Sequence, residues 1–144
     1  CEDFEYTPVI FEAFQTINGE RKQIYHTNVM MCIAETFAVI CADAIDDKAE
    51  RKMVLSNLKE SGKEVILISE KQLNNFAGNM LQVRGAKDEL ILVMSTAAYE
   101  SLNKDQITKI EKHCKILHAG LDIIEACGGG SARCMMAEVF LPKP

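Results

Sequence analysis

The chain has no tryptophan, and aromatic residues make up only 6% of it. Aliphatic side chains and seven methionines must therefore fill any core. Positive charge is also scarce: 16 Lys and Arg against 21 Asp and Glu give a formal net charge of -5. There is no basic block and no ladder of interleaved aromatics, which argues against a nucleic-acid partner. Every apolar run is far shorter than the ~20 residues that a membrane-spanning helix needs, so no membrane partner is expected. The opening Cys1-Glu2-Asp3 is acidic and lacks the basic-then-apolar pattern of a secretory leader. No Cys-x-x-Cys pair occurs, so a zinc site is not expected, and nothing calls for another metal or a cofactor.

What is present suits one α/β domain spanning residues 1–144. Hydrophobic residues make up 48% of the chain, enough for a sizeable core and too many for disorder. Cys32 and Cys41, inside apolar runs, read as small buried hydrophobes. The six cysteines do not belong to a small secreted scaffold, and a reduced, cytoplasmic protein is the simplest account. Cys1 at the start, in place of methionine, raises the expectation of a truncated N-terminus.

Apolar runs and turn residues place the elements. Val9-Ile10-Phe11 reads as a short strand, and Asn18-Gly19 is a strong turn dipeptide. Residues 28–33 and 37–41 read as a buried strand pair. Asp46 or Asp47 can cap a helix running to about Ser61, stopped by Gly62, with Met53, Val54 and Leu58 inward. Val65 to Ile68 follows as a buried strand. The pattern then restarts with strands at 79–83 and 90–94. A helix is expected from Asn103 to His118, opened by an Asn103/Gln106 capping box. Its inward face would carry Ile107, Ile110, Cys114 and Leu117, and Gly120 would end it. Ile123-Ile124 and Met135 to Leu141 read as further strands.

The order strand, strand, helix, strand thus occurs twice, and a third unit begins. Asn28, Asn79 and Cys134 hold equivalent places, 51 (79 minus 28) and 55 (134 minus 79) positions apart. Such a period suggests an array or ring of supersecondary units. Equivalent strand starts in a ring all face its axis, so residues near Asn28, including His26, would meet Asn79 and Cys134 there. An incomplete array leaves apolar sides open, to be covered by more chain or a second copy, so a homo-oligomer stays an open alternative.

The third of these starts is the richest in chemistry. Gly128-Gly129-Gly130-Ser131-Ala132-Arg133-Cys134 joins a flexible turn to an apolar run, a place suited to holding a thiol at the mouth of a cleft. A cysteine with a distant histidine, here His26, is a candidate nucleophilic pair assembled only by the fold. Arg133 would point away from Cys134 if both lie in a strand. Glu125 and Glu138 are the nearest carboxylates in sequence, although salt-bridge roles suit them equally. Cys127 reads as packing, and His113 and His118 read as solvated or half-buried helix residues.

Three motifs, Tyr25-His26-Thr27-Asn28-Val29, Phe76-Ala77-Gly78-Asn79-Met80-Leu81 and Gly128 to Met135, together resemble the guanidino-group-modifying enzymes. That superfamily includes arginine deiminases, dimethylarginine hydrolases and amidinotransferases. The strongest likeness is to the bacterial citrulline-utilisation hydrolase type. The resemblance implies a pentein-type α/β propeller with pseudo-fivefold symmetry, of which this chain would be about half, the C-terminal portion. It implies Cys134 as nucleophile and His26 as catalytic histidine, with Asn28, Asn79, Gly129, Gly130 and Ser131 at the substrate. It also implies a guanidino or ureido substrate, and carboxylates that grip it in a missing N-terminal half. Many members carry His-x-Asp where this chain has His26-Thr27-Asn28, and a neutral Asn forms no ion pair with a guanidinium.

The implied reaction is cleavage of a C–N bond in an arginine- or citrulline-type amino acid through an S-linked intermediate. Passing that intermediate to an amine instead of water would make an amidinotransferase. A catalytically incomplete fragment or a non-catalytic binding module is the rival from another class.

Overall fold

A computed structural model describes residues 2–138 of the chain. Two copies of one unit dominate it, and a small hairpin precedes them. The hairpin strands β1 (Phe14–Ile17) and β2 (Glu20–Gln23) pair only with each other among the described residues. Asn18 and Gly19 join them with φ of 53° and 81°, the two positive values that a type I′ turn requires. Residues 6–13 carry no regular structure, so the strand expected at Val9 to Phe11 is absent.

In the first unit, β3 (Met31–Ile33) runs antiparallel to β4 (Phe37–Ile40), and β4 runs parallel to β5 (Glu64–Leu67). Helix α1 (Lys48–Glu60) makes the crossover. Asp47 caps it by accepting the N–H groups of Ala49 and Glu50, both at 2.8 Å. Val54 and Leu58 face inward as expected, but Met53 is exposed. All four residues of β4 are fully buried, as in a central strand covered on both faces. A one-turn helix, α2 (Glu70–Leu73), closes the unit with a Ser69/Gln72 capping box.

The second unit repeats the topology: β6 (Leu81–Arg84) antiparallel to β7 (Leu90–Ser95), and β7 parallel to β8 (Lys115–Ala119). Its crossover is two helices, α3 (Thr96–Ser101) and α4 (Lys104–Glu111). The Asn103/Gln106 capping box is present, and Ile110 is fully buried. The helix does not continue to His118. The amides of His113 and Cys114 both turn back to the Ile110 carbonyl, and residues 115–119 leave to pair with Ile91–Ser95. Leu117 is therefore an exposed strand residue. The parallel pairing is non-local, so helical spacing at 107, 110, 114 and 117 misleads. The Ile123-Ile124 strand is also corrected: both lie in α5 (Asp122–Gly128), largely exposed. Two adjacent isoleucines fix neither a helical nor a strand period.

The interface between units is stitched by side chains. Gln72 Nε2 donates to the Ser101 carbonyl at 2.8 Å, and Gln106 Nε2 to the Leu67 carbonyl at 2.7 Å. The His113 ring stacks on Phe37 and bonds Glu64 at 2.9 Å. The first strand of each unit starts later than its apolar pattern suggests, β3 at Met31 instead of Asn28 and β6 at Leu81 instead of Asn79. A 3-10 turn over Thr27–Val29 precedes β3, and another over Ala132–Met135 takes in the first residue of the strand expected from Met135, while residues 136–138 carry no regular structure. Residues 139–141 of that expected strand lie outside the described residues. The described sheets remain three small separate ones.

Candidate functional site

The three equivalent positions converge. Gly78 makes the first approach: a Cβ built there would stand 2.5 Å from the Val29 carbonyl oxygen and 2.7 Å from the Met30 carbonyl carbon. Only glycine lets the two loop backbones lie this close, and the approach sets Asn79 beside Asn28. Asn79 is 2% exposed. Its Oδ1 accepts the main-chain N–H groups of Ser131 at 3.2 Å and Arg133 at 3.1 Å. Its Nδ2 donates to the Asn28 carbonyl at 3.0 Å and to the Cys134 sulfur at 3.2 Å. The two amide donors hold Oδ1, so Nδ2 must face the sulfur. An N–H aimed at sulfur gives negative charge on that atom a partner.

Cys134 is exposed and lies in the 3-10 turn, not at the start of a strand. Gly129, at φ 64°, turns the chain out of α5 in the left-handed conformation that favours glycine. Gly130 then makes room for the thiol: a Cβ there would lie 3.0 Å from both the Cβ and the Sγ of Cys134. Asn28 stands on the other side, its Nδ2 3.9 Å from the sulfur.

His26 caps the 3-10 turn that carries Asn28. Its Nδ1 accepts the Asn28 N–H at 3.2 Å, which leaves Nε2 to carry the proton of the neutral ring. The ring is exposed. Among the described residues no hydrogen bond joins it to Cys134, and Asn28 touches both. His26 and Cys134 line separate depressions that share Tyr25.

The Cys134 depression has a volume of about 150 Å³. Asn79, Gly129 and Gly130 line it beside the thiol, Leu73, Asn74 and Phe76 form another part, and Gln15, Ile17 and Tyr25 complete the wall. No carboxylate lines it among the described residues. Ser131 is fully buried, and its hydroxyl donates to Glu125 Oε1 at 2.6 Å, so that hydroxyl braces the loop. Arg133 lines a different depression, bonding the Met136 carbonyl at 3.1 Å and facing Glu138 at 3.7 Å. His113 and His118 are occupied elsewhere, His118 stacked on Tyr99. Sequence reasoning missed the wall from residues 15, 17 and 25. Asn18-Gly19 signals a hairpin, but nothing local says over what it folds.

Among the other cysteines, burial pushes the Cys32 thiol up to about 12 and the Cys41 thiol to about 11. Buried thiols held protonated make poor nucleophiles. Cys127 is exposed on α5, and Cys1 lies outside the described residues.

The family described as eukaryotic N,N-dimethylarginine dimethylhydrolase matches this chain over residues 1–141, and the chain belongs to that family. No match is found among curated proteins. Among solved structures the fold is similar to apo ArgZ, an arginine dihydrolase from the ornithine–ammonia cycle in cyanobacteria. The two are 20% identical with a TM-score of 0.62 over 82% of this chain. The chain spans 17% of the length of that protein. The family match lies within the guanidino-group-modifying superfamily that the three sequence motifs resemble, and the likeness to the solved structure is one of fold.

Proposed function

We propose, starting from that family membership, that the protein carrying this chain is a cysteine hydrolase. It cleaves a C–N bond of a guanidino or ureido amino acid of the arginine type. The observation that carries the reading is the Asn79 Nδ2 to Cys134 Sγ contact of 3.2 Å inside a small depression. A thiol placed beside a fixed donor, on a turn kept open by Gly130, suits a nucleophile better than a packing residue. The two repeated units support the ring reading, a five-unit α/β propeller whose axis passes Asn28, Asn79 and Cys134.

In the proposed reaction His26, released from the Asn28 N–H, takes the Cys134 thiol proton to become imidazolium. The thiolate attacks the central carbon of the substrate head, a C–S bond forms, and the C=N electron pair moves onto nitrogen. The adduct collapses, the C–N bond breaks, and the departing amine takes a proton from His26. Water then attacks the S-linked intermediate, giving its proton to His26 and its oxygen to the carbon. The C–S bond breaks and the thiolate returns. Acid–base help of this kind contributes about a hundred- to ten-thousandfold. His26 reaches the sulfur through motion about its exposed side chain, because catalytic contacts are often looser before substrate binds. Asn28 and the main chain at Gly129 and Gly130 bind the head, while Asn79 and Ser131, whose polar groups are already bonded within the protein, shape the loop around it. We assign the ionic grip on the head to carboxylates in further chain, as the resemblance to the family implies.

The test is to treat the full-length protein with chloroacetamidine and map the adduct by peptide mass, with product assays on arginine, methylated arginines and citrulline. The expected result is an adduct at Cys134, with ureido and amine products. Labelling at Cys127 with Cys134 untouched would overturn the assignment. Transfer to an added amine would identify an amidinotransferase, and no product from any substrate would leave a binding protein.

A further inference from the structure

The β1–β2 hairpin has two faces with different jobs. Gln15 and Ile17 line the Cys134 depression. Strand neighbours point to opposite faces, so Thr16 and its cross-strand partner Arg21 face the other way. There the Arg21 guanidinium makes a dense set of contacts. Its Nε and a terminal nitrogen reach both Asp46 carboxylate oxygens, at 3.2 and 2.5 Å. It also bonds the Asp43 carbonyl at 3.0 Å and Thr16 Oγ1 at 3.2 Å, and it pairs with Glu70. Glu70 opens α2, and the residues at the end of that same helix, Leu73 and Asn74, form part of the pocket wall. The Arg21 contact therefore ties two walls of one pocket together.

The rest of the hairpin is lightly held. Every residue of β2 is exposed, and the hairpin joins no other sheet among the described residues. Its base is anchored, with Ala13 and Ile24 buried and the Ile24 N–H on the Ala13 carbonyl at 2.8 Å. A buried base, a tight turn at the tip and one ionic tie between them make a lever. The pocket under it, at about 150 Å³, is below the roughly 300–1,000 Å³ typical of small-molecule sites. It has room for a planar head group but not for a whole amino acid.

We propose that the β1–β2 hairpin gates the Cys134 pocket and that Arg21, through Asp46 and Glu70, is the positioning residue that holds it shut over the substrate head. The closed form narrows the approach to the thiol and presses the head against it, while water still reaches the carbon for the second step. The open form admits the amino-acid body. Arg21 touches neither the thiol nor the substrate head and acts only through the hairpin. The inference rests on the reading of Cys134 as the reactive thiol, but the movement itself can be measured without turnover.

The test uses full-length protein and three variants: Arg21→Gln, Glu70→Gln and the conservative Arg21→Lys. Iodoacetamide, a neutral reagent, reports access to Cys134, and exposed Cys127 on α5 serves as the internal reference. Losing a multidentate ionic tie should raise the rate of Cys134 alkylation on the order of tenfold, with Cys127 unchanged. Arg21→Lys should recover part of the slow rate. Amide exchange of residues 14–23 should quicken in the same two Gln variants and not in β4. In turnover, kcat should fall while KM changes little or drops, because opening eases substrate access. Cys134 alkylation and hairpin exchange that match the unaltered protein would overturn the gate. So would a quickening spread equally through β4, which would report global loosening. If chloroacetamidine shows no preference for Cys134 in any variant, the functional reading fails. The hairpin exchange still decides the gate separately.

Discussion

Asn79 reaches the sulfur of Cys134 at 3.2 Å across 55 positions of chain, and its own oxygen is held by the N–H groups of Ser131 and Arg133. One side chain thus fixes both the shape of the cysteine loop and the polarity of the group that faces the thiol. An asparagine is needed, because only an amide presents acceptor and donor on opposite sides at this size.

Asn79→Asp is the sharpest probe of that relationship. It keeps the shape and the two bonds to the loop, but turns an oxygen toward both the Asn28 carbonyl and the sulfur. Repulsion and a lost donor should lower stability by about 1–3 kcal/mol, with activity falling at least a hundredfold. Denaturant unfolding and kcat/KM measured on the full-length protein check this. An active, equally stable Asn79→Asp would show that the donor to sulfur has no role.

Gly130→Ala should damage the site and spare the fold. Its new Cβ would meet the Cys134 side chain at 3.0 Å, closer than ordinary carbon–sulfur contact. The thiol must give way by several tenths of an ångström, and misplacement on that scale can cost on the order of tenfold to a hundredfold in rate. The unfolding midpoint should stay near that of the unaltered protein. A Gly130→Ala protein with normal chloroacetamidine labelling at Cys134 would contradict the crowding.

Gly78→Ala should do the reverse. Its Cβ would strike main-chain atoms of Val29 and Met30, which cannot rotate away as a side chain can. Overpacking of this kind costs roughly 1–3 kcal/mol, with the Asn28–Asn79 contact pulled apart. Calorimetry and the yield of folded protein report it.

The buried thiols set an alkaline limit. Burial raises Cys32 to about 12 and Cys41 to about 11, from an ordinary value of 9.0. Raised values on folding mean that the stabilising contribution is complete below pH 9 and is lost as pH climbs through 11 to 12. The unfolding midpoint should therefore drop over that window, and less steeply in Cys32→Ala. At pH 8, an aromatic disulfide reagent should modify Cys127 and Cys134 and leave Cys32, Cys41 and Cys114 until unfolding. Early reaction at Cys32 would refute the account.

Much of this was legible because its signals are local. The unbroken apolar run at Phe37 to Cys41 reads as part of a buried strand pair, Asp46 or Asp47 as a cap, which the structure resolves to Asp47, and Asn103 with Gln106 as a capping box. The spacings of 51 and 55 already bring Asn28, Asn79 and Cys134 to equivalent places, and the hydrogen bonds join all three. The misreadings come from partners far away in sequence or from patterns too short to have a period. Lys115 to Ala119 becomes a strand only because Ile91 to Ser95 lies ready beside it. Ile123 and Ile124 carry too short a pattern to declare a helix. The pocket wall from Gln15 and Ile17 depends on where Arg21 finds its carboxylates, and that is a tertiary fact.

The long sequence separations also set an order of assembly. The β1–β2 hairpin and α1 can form from neighbours in sequence, on the order of microseconds for such elements. The parallel pairs β4–β5 and β7–β8 must first close loops through their helices, and the contact from Asn28 to Cys134 closes one of 106 positions. Loop closure of that span comes late and slowly. During refolding, far-ultraviolet dichroism should therefore recover before Cys134 acquires its native reactivity. In the interval the chain carries sheets and helices, while its thiol still behaves like that of an open peptide.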